Sequence, residues 1–114
     1  MDCMFCRIAS GEIPATIVVR SDDAIAFRDL NPQAPIHVLV IPIRHVASAA
    51  DLAPPDRATV LGAVMALAVQ AAAELGVAHD GYRLVVNTGR DGGQTVGHLH
   101  VHLFGGRQMT WPPG

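Results

Sequence analysis

Large aromatic side chains are scarce in this sequence: three Phe, one Tyr and one Trp make up 4% of a chain that is 50% hydrophobic. A core without big rings has to come from Ala, Val, Leu and Ile, which fill less volume each, so a second copy of the chain is a natural source of further burial. Positive charge is short as well. Eight Lys and Arg against ten Asp and Glu leave a formal net charge of -2, which excludes a general grip on nucleic-acid backbone, since that needs clustered cations. Nothing approaches the roughly 20 uninterrupted apolar residues of a membrane span, and no basic stretch leads into an apolar run as in an export signal. The expected location is the cytoplasm, with no membrane partner. Cysteine is confined to Cys3 and Cys6, too close together to staple distant parts of a fold, and a reducing compartment disfavours a disulfide. Simple burial and metal binding are the two readings left for this Cys-x-x-Cys. The 114 residues suffice for one core, so residues 1–114 are expected to form a single domain.

What is present is well punctuated. Residues 3–10 carry a short helical pattern, ended by Gly11 and Pro14. Residues 15–20 and 24–29 flank Ser21-Asp22-Asp23 and read as a β-hairpin, and residues 36–42 form an apolar strand interrupted only by His37. Residues 54–75 are Ala-rich with apolar side chains at helical spacing, prolines suited to a first turn, and Gly76 as the stop. Two further strands are expected over 83–88 and 98–104, separated by a glycine-rich loop. The architecture this predicts is α+β: a five-stranded, mostly antiparallel sheet covered by one long helix.

The most informative run is His98-Leu99-His100-Val101-His102-Leu103-Phe104. Strand alternation puts the three imidazoles on one face and Leu99, Val101 and Leu103 on the other, so several ring nitrogens can serve one phosphate. The same row could instead chelate a metal. A lone histidine on a strand is more often structural, and His79, without companions, is expected to be solvated; three on one face point to chemistry. The loop before them, with Gly93, Gln94 and Thr95, offers backbone N–H groups and a hydroxyl to an anion.

With its His-φ-His-φ-His-φ-φ signature, where φ is apolar, the sequence resembles the histidine triad (HIT) superfamily. The segments Asp29 to His37, Gly81 to Asn87, Gly92-Gly93-Gln94 and Gly105 to Gly114 are similar to the purine nucleoside phosphoramidase (HINT) branch, and the Trp111-Pro112-Pro113-Gly114 ending favours that branch over dinucleoside polyphosphate hydrolases. The resemblance implies a HIT-like fold and a homodimer whose tail, residues 105–114, docks at the interface. It implies His100 as the nucleophile toward the α-phosphorus of a purine nucleotide, with His98 ordering the row, His37 orienting or polarising His100, and His102 with Thr95 assisting the leaving group. Asp29 would accept the ribose hydroxyls, Asn87 would contact phosphate or leaving group, Gly93 and Gln94 would contact phosphate, and Phe5, Ile8, Phe27 and Leu30 would form the purine slot. Two departures stand out: Thr95 replaces the more usual serine, and Gly97 replaces a bulky aromatic. No cofactor is required for such chemistry. As in some superfamily members, a structural zinc would be held by Cys3, Cys6, His45 and His98.

Overall fold

The computed structural model describes residues 3–114. Its elements in chain order are α1 (Met4–Ala9), β1 (Ile17–Arg20), β2 (Ala24–Arg28), β3 (Ile36–Pro42), a 3-10 turn (Ala49–Asp51), α2 (Pro54–Glu74), β4 (Tyr82–Val85) and β5 (Val101–Gly105). The strands form one antiparallel sheet in the order β1-β2-β3-β5-β4, the α+β arrangement that the pattern predicts. Ser21 Oγ accepts from the backbone N–H groups of Asp23 and Ala24 and so turns the β1–β2 hairpin.

Alternation along β2 shows how the sheet is covered on both faces. Ala24 and Ala26 face α2, against Val64, Leu67, Ala68, Ala71 and Ala72 of that helix, and their small size lets the helix sit close. Ile25 and Phe27 face the other way, against Phe5 and Ile8 of α1. By length and composition alone α2 could cross a membrane; here that apolar character covers the sheet. Its prolines occupy the first turn, and Gly76 ends it at φ 77°, a conformation open to glycine.

Several strand boundaries differ from the expected ones. β1 starts at Ile17, β4 runs Tyr82–Val85 rather than 83–88, and β5 starts at Val101 rather than His98. The last shift has a clear cause. In the β3–β5 register Val40 opposes Val101, so two steps further Leu99 would face Pro42, which has no N–H to give a ladder. The Leu99 N–H turns instead to the Val46 carbonyl at 2.7 Å. β4 ends at Val85 opposite His102, near where its neighbour β5 begins. At the other end Gly105 belongs to β5, so the tail starts at Gly106. Arg83 donates to the Thr110 carbonyl at 2.9 Å and Arg107 to the Gln33 carbonyl at 3.2 Å, tying that tail to the rest of the chain. Trp111 remains 83% exposed.

Candidate active site

Although the ladder stops at Val101, the side chains still sort as alternation requires. Val101 and Leu103 enter the core under α2 and Leu99 a small cluster with Val46 and Leu52. The histidine rings lie on the α1 side, those of His100 and His102 with centroids 4.9 Å apart.

His100 is 4% exposed. Its Nδ1 lies 2.7 Å from the His98 carbonyl oxygen, and a carbonyl can only accept, so Nδ1 carries the proton. With that proton on Nδ1, an uncharged imidazole carries its lone pair on Nε2. Phe5 closes against this imidazole edge to face, with centroids 5.3 Å apart and planes at 84°.

The same reasoning orders His37 and His102. The Gln33 backbone N–H donates to His37 Nδ1 at 3.0 Å, which leaves the His37 proton on Nε2. That N–H donates to His102 Nδ1 at 2.9 Å, with Asp29 Oδ2 3.4 Å away. His102 in turn must carry its proton on Nε2. Burial, with the His100 and His37 imidazoles beside it and Asp29 opposing, pushes His102 down to about 4. His37 is also lowered by burial, partly offset by Asp29. Both rings are thus neutral near pH 7. A cation shared by Asp29, His37 and His102, whose donor atoms do cluster, would need a second lone pair on His37 and hence an imidazolate. The hydrogen-bonded pair satisfies the same atoms without it.

This network corrects one expectation: His37 orients His102, not His100. The register places Leu39 opposite His102 and His37 opposite Phe104, whereas His100 lies beyond the ladder. Phe104 was not singled out from the sequence, yet its ring packs 4.2 Å from that of His37 and stacks on His102 at 5.5 Å. Its even position, in step with 98, 100 and 102, was the available signal.

His100 and His102 border a cavity of about 320 Å³, together with Asp29 and Thr95. Its apolar wall includes the expected Phe5, Ile8, Phe27 and Leu30, and also Ile13, Leu39 and Val96, which the sequence reading did not assign. Leu30, 96% exposed, stands at the rim. Asp29 Oδ1 accepts from the Asn31 N–H at 2.8 Å, so this carboxylate shapes a turn while its other oxygen faces the histidines.

Asn87, Gly93 and Gln94 do not line that cavity. The Gln94 amide is committed to the loop itself, donating to the Ala47 and Val96 carbonyls and accepting from the Gly89 N–H. The Gly93 N–H donates to the Arg90 carbonyl, so it does not project toward a phosphate. The loop is built around close backbone packing: a Cβ on Gly92 would meet the Thr88 carbonyl oxygen at 2.4 Å. Asn87 is half-buried just past β4. Gly97 faces open space, and His79 is exposed beside Asp80.

The remaining histidine of the row turns to a separate cluster. His98, fully buried, donates from Nε2 to the Pro42 carbonyl at 2.9 Å, which leaves a lone pair on Nδ1. That atom lies 3.3 Å from Cys3 Sγ, 3.5 Å from Cys6 Sγ and 3.2 Å from His45 Nδ1, while Cys6 Sγ is 3.3 Å from His45 Nδ1. Tetrahedral zinc with bonds of about 2.0–2.3 Å to nitrogen and sulfur separates its ligands by about 3.3–3.8 Å, so the four residues fit that ion. Burial and the neighbouring Cys3 thiol push the Cys6 thiol up, a cost that a bound cation would reverse. Zinc held there would supply a structural tie, all four positions being filled by protein.

A small antiparallel α+β protein that aims an oriented imidazole into an apolar cavity is the class these features define. The chain belongs to the HIT family, whose domain model matches residues 10–109. It is HINT-like: it is 45% identical over 112 residues to Adenylylsulfatase HINT1 of Arabidopsis thaliana, an alignment covering 97% of this chain and 76% of that protein. It is also 45% identical over 112 residues to a 14 kDa zinc-binding protein of Zea mays, covering 97% and 87%. Among solved structures, a HIT family hydrolase from Legionella pneumophila superposes with a TM-score of 0.94 at 50% identity, over 99% of this chain and all of that one.

Proposed function

We propose that the protein is a nucleotide hydrolase that cleaves purine nucleoside 5′-phosphoramidates or acyl-adenylates at the α-phosphorus through a nucleotidyl-His100 intermediate. The observation that carries this reading is the His100 tautomer: with Nδ1–H held by the His98 carbonyl, the ring presents Nε2 as a nucleophile at the cavity. In the first half-reaction Nε2 bonds to phosphorus and the bond from phosphorus to the amine nitrogen or to the carboxylate oxygen breaks. The His102 Nε2–H and the Thr95 hydroxyl, both at that cavity, donate hydrogen bonds to the phosphate oxygens and the departing atom. Water then displaces His100. With a phosphoramidate the amine takes up one proton as it leaves and the attacking water releases one in the second half; with an acyl-adenylate the carboxylate leaves as its anion and the protons from water pass to solvent.

Asp29 would accept the ribose hydroxyls and the apolar wall would take the purine. The name of the Arabidopsis relative supports a mixed anhydride of adenylate as an alternative leaving-group class at the same site. We assign the protein to the cytoplasm as a homodimer, with the tail at the interface; exposed Met65 and Val69 on α2 and Trp111 in the tail are the surface that reading uses. Light scattering in solution tests it, and a monomeric mass would overturn it.

Trapping decides the chemistry. Protein quenched during turnover of an adenosine phosphoramidate should carry an adenylyl adduct on His100 by mass spectrometry, and His100→Ala should lose turnover by about 10³-fold or more. Unchanged turnover in His100→Ala would remove the enzyme reading. A variant that binds nucleotide and retains its cellular effect without turnover would instead favour a nucleotide-sensing module.

A further inference from the structure

The helix α1 is six residues long, too short to hold itself together, so its place on the sheet is set entirely by its attachments. One attachment is polar: Cys3 and Cys6 reach His98 and His45. The other is apolar and centres on Phe5, which sits between the two cysteines in sequence and is 5% exposed. The Phe5 ring touches both sides of the molecule's chemistry, with centroids 5.9 Å from His98 and 5.3 Å from His100, nearly perpendicular to the second at 84°. Phe27 backs it at 5.7 Å.

The His100 ring meets His102 on one side, with centroids 4.9 Å apart, and its two other restraints both lead to the same four-residue cluster. Its Nδ1–H is held by the carbonyl of His98, whose own ring is a member of that cluster. Its flank is held by Phe5, whose helix is pinned there by Cys3 and Cys6. A single hydrogen bond leaves an imidazole some freedom to swing; a perpendicular ring on its flank takes that freedom away.

We propose that Phe5 is a positioning residue, through which the Cys3–Cys6–His45–His98 cluster sets the orientation of the His100 imidazole. This goes beyond Phe5 as a wall for the purine, and it rests on His100 being the nucleophile. The two roles separate in kinetics. A residue that only lines the slot raises KM when trimmed; one that aims the nucleophile lowers kcat and moves KM little.

The test uses the full chain loaded with zinc and free of nucleotide, labelled with 15N at the histidine rings. The His100 Nδ1–H proton, held at 2.7 Å by its carbonyl, should give a slowly exchanging signal in the wild type. It should persist in Phe27→Leu, which removes similar volume from the same cluster, and broaden into solvent exchange in Phe5→Leu. In turnover Phe5→Leu should lose kcat by about tenfold with KM changed less than about twofold. Wild-type protein stripped of zinc by a chelator provides an arm with no substitution, and there the signal should broaden in the same way. A signal unchanged in both Phe5→Leu and stripped protein, or a Phe5→Leu defect confined to KM, would overturn the proposal. Absence of an adenylyl adduct in the wild type would overturn the nucleophile assignment instead, and the ring signal would still judge the positioning role.

Discussion

Two histidine clusters flank His100, built from one sequence motif and opposite in character. His98 joins two thiols and His45 in a closed set, its Nδ1 lone pair turned inward because Nε2–H is spent on the Pro42 carbonyl. His102 joins His37 in an open set at the cavity, its Nδ1 already accepting from His37 so that Nε2–H is left to face a ligand. Residue type is the same in both. The difference lies in which backbone group engages each ring: a carbonyl takes a proton and frees a lone pair for a metal, whereas the Gln33 N–H takes a lone pair and sends a proton toward His102. In the function we propose, a row of three imidazoles is thereby split into a metal ligand, a nucleophile and a donor.

The largest effect that would break this comparison is on the closed set. Cys6→Ser, or chelation of the zinc-loaded protein, should lower stability by about 3 kcal/mol, since metal bound only by the folded state adds its binding energy to folding. Denaturant unfolding with and without chelator measures it. An identical midpoint in both would mean that the four residues are packed thiols and imidazoles and nothing more.

The sheet and α2 were legible because their signals are local. β3 was read as Ile36–Pro42 and α2 within a residue of Pro54–Glu74, each bounded by proline or glycine and filled by an apolar run of the right period. The start of β5 was not, because it depends on Pro42 lying across the sheet from the position Leu99 would have taken, a long-range fact that no window on residues 98–104 contains. The site divides in the same way. Strand parity grouped His100 with His102, the resemblance to the HIT superfamily added Asp29, Thr95 and the apolar wall, and all of them border one cavity. The partners that set the tautomers are the His98 and Pro42 carbonyls and the Gln33 N–H, and backbone groups look alike at every position of a sequence. Gln94 and Gly93 misled for the complementary reason: their polar groups suit a phosphate, but the loop uses them to close on itself.

A smaller effect sharpens the open set. His37→Leu removes the N–H that fixes the His102 tautomer, and turnover should fall by about 10- to 100-fold, or about 1.4–2.7 kcal/mol, while His37→Gln, whose amide can still donate to Nδ1, should stay within about threefold of wild type. Equal losses in the two variants would mean that His37 fills space and does not direct a proton.

The last effect concerns acid. His102 has its folded value pushed down to about 4 from an ordinary 6.5, and His37 is shifted in the same direction. The unfolded chain therefore binds protons on these rings at a pH where the folded chain does not. The His102 contribution to stability is complete above about pH 7, erodes as pH falls through 6.5, and is gone once pH reaches its folded value near 4, and His37 adds to the loss in the same direction. Partial solvent screening of the His102 ring trims the full shift to on the order of 2 kcal/mol. His102→Asn, which cannot be protonated, should flatten the fall in unfolding midpoint between pH 7 and pH 4. If that variant lost stability as steeply as the wild type over the same interval, the acid sensitivity would belong to other groups, and the open pair would not be held neutral by its burial.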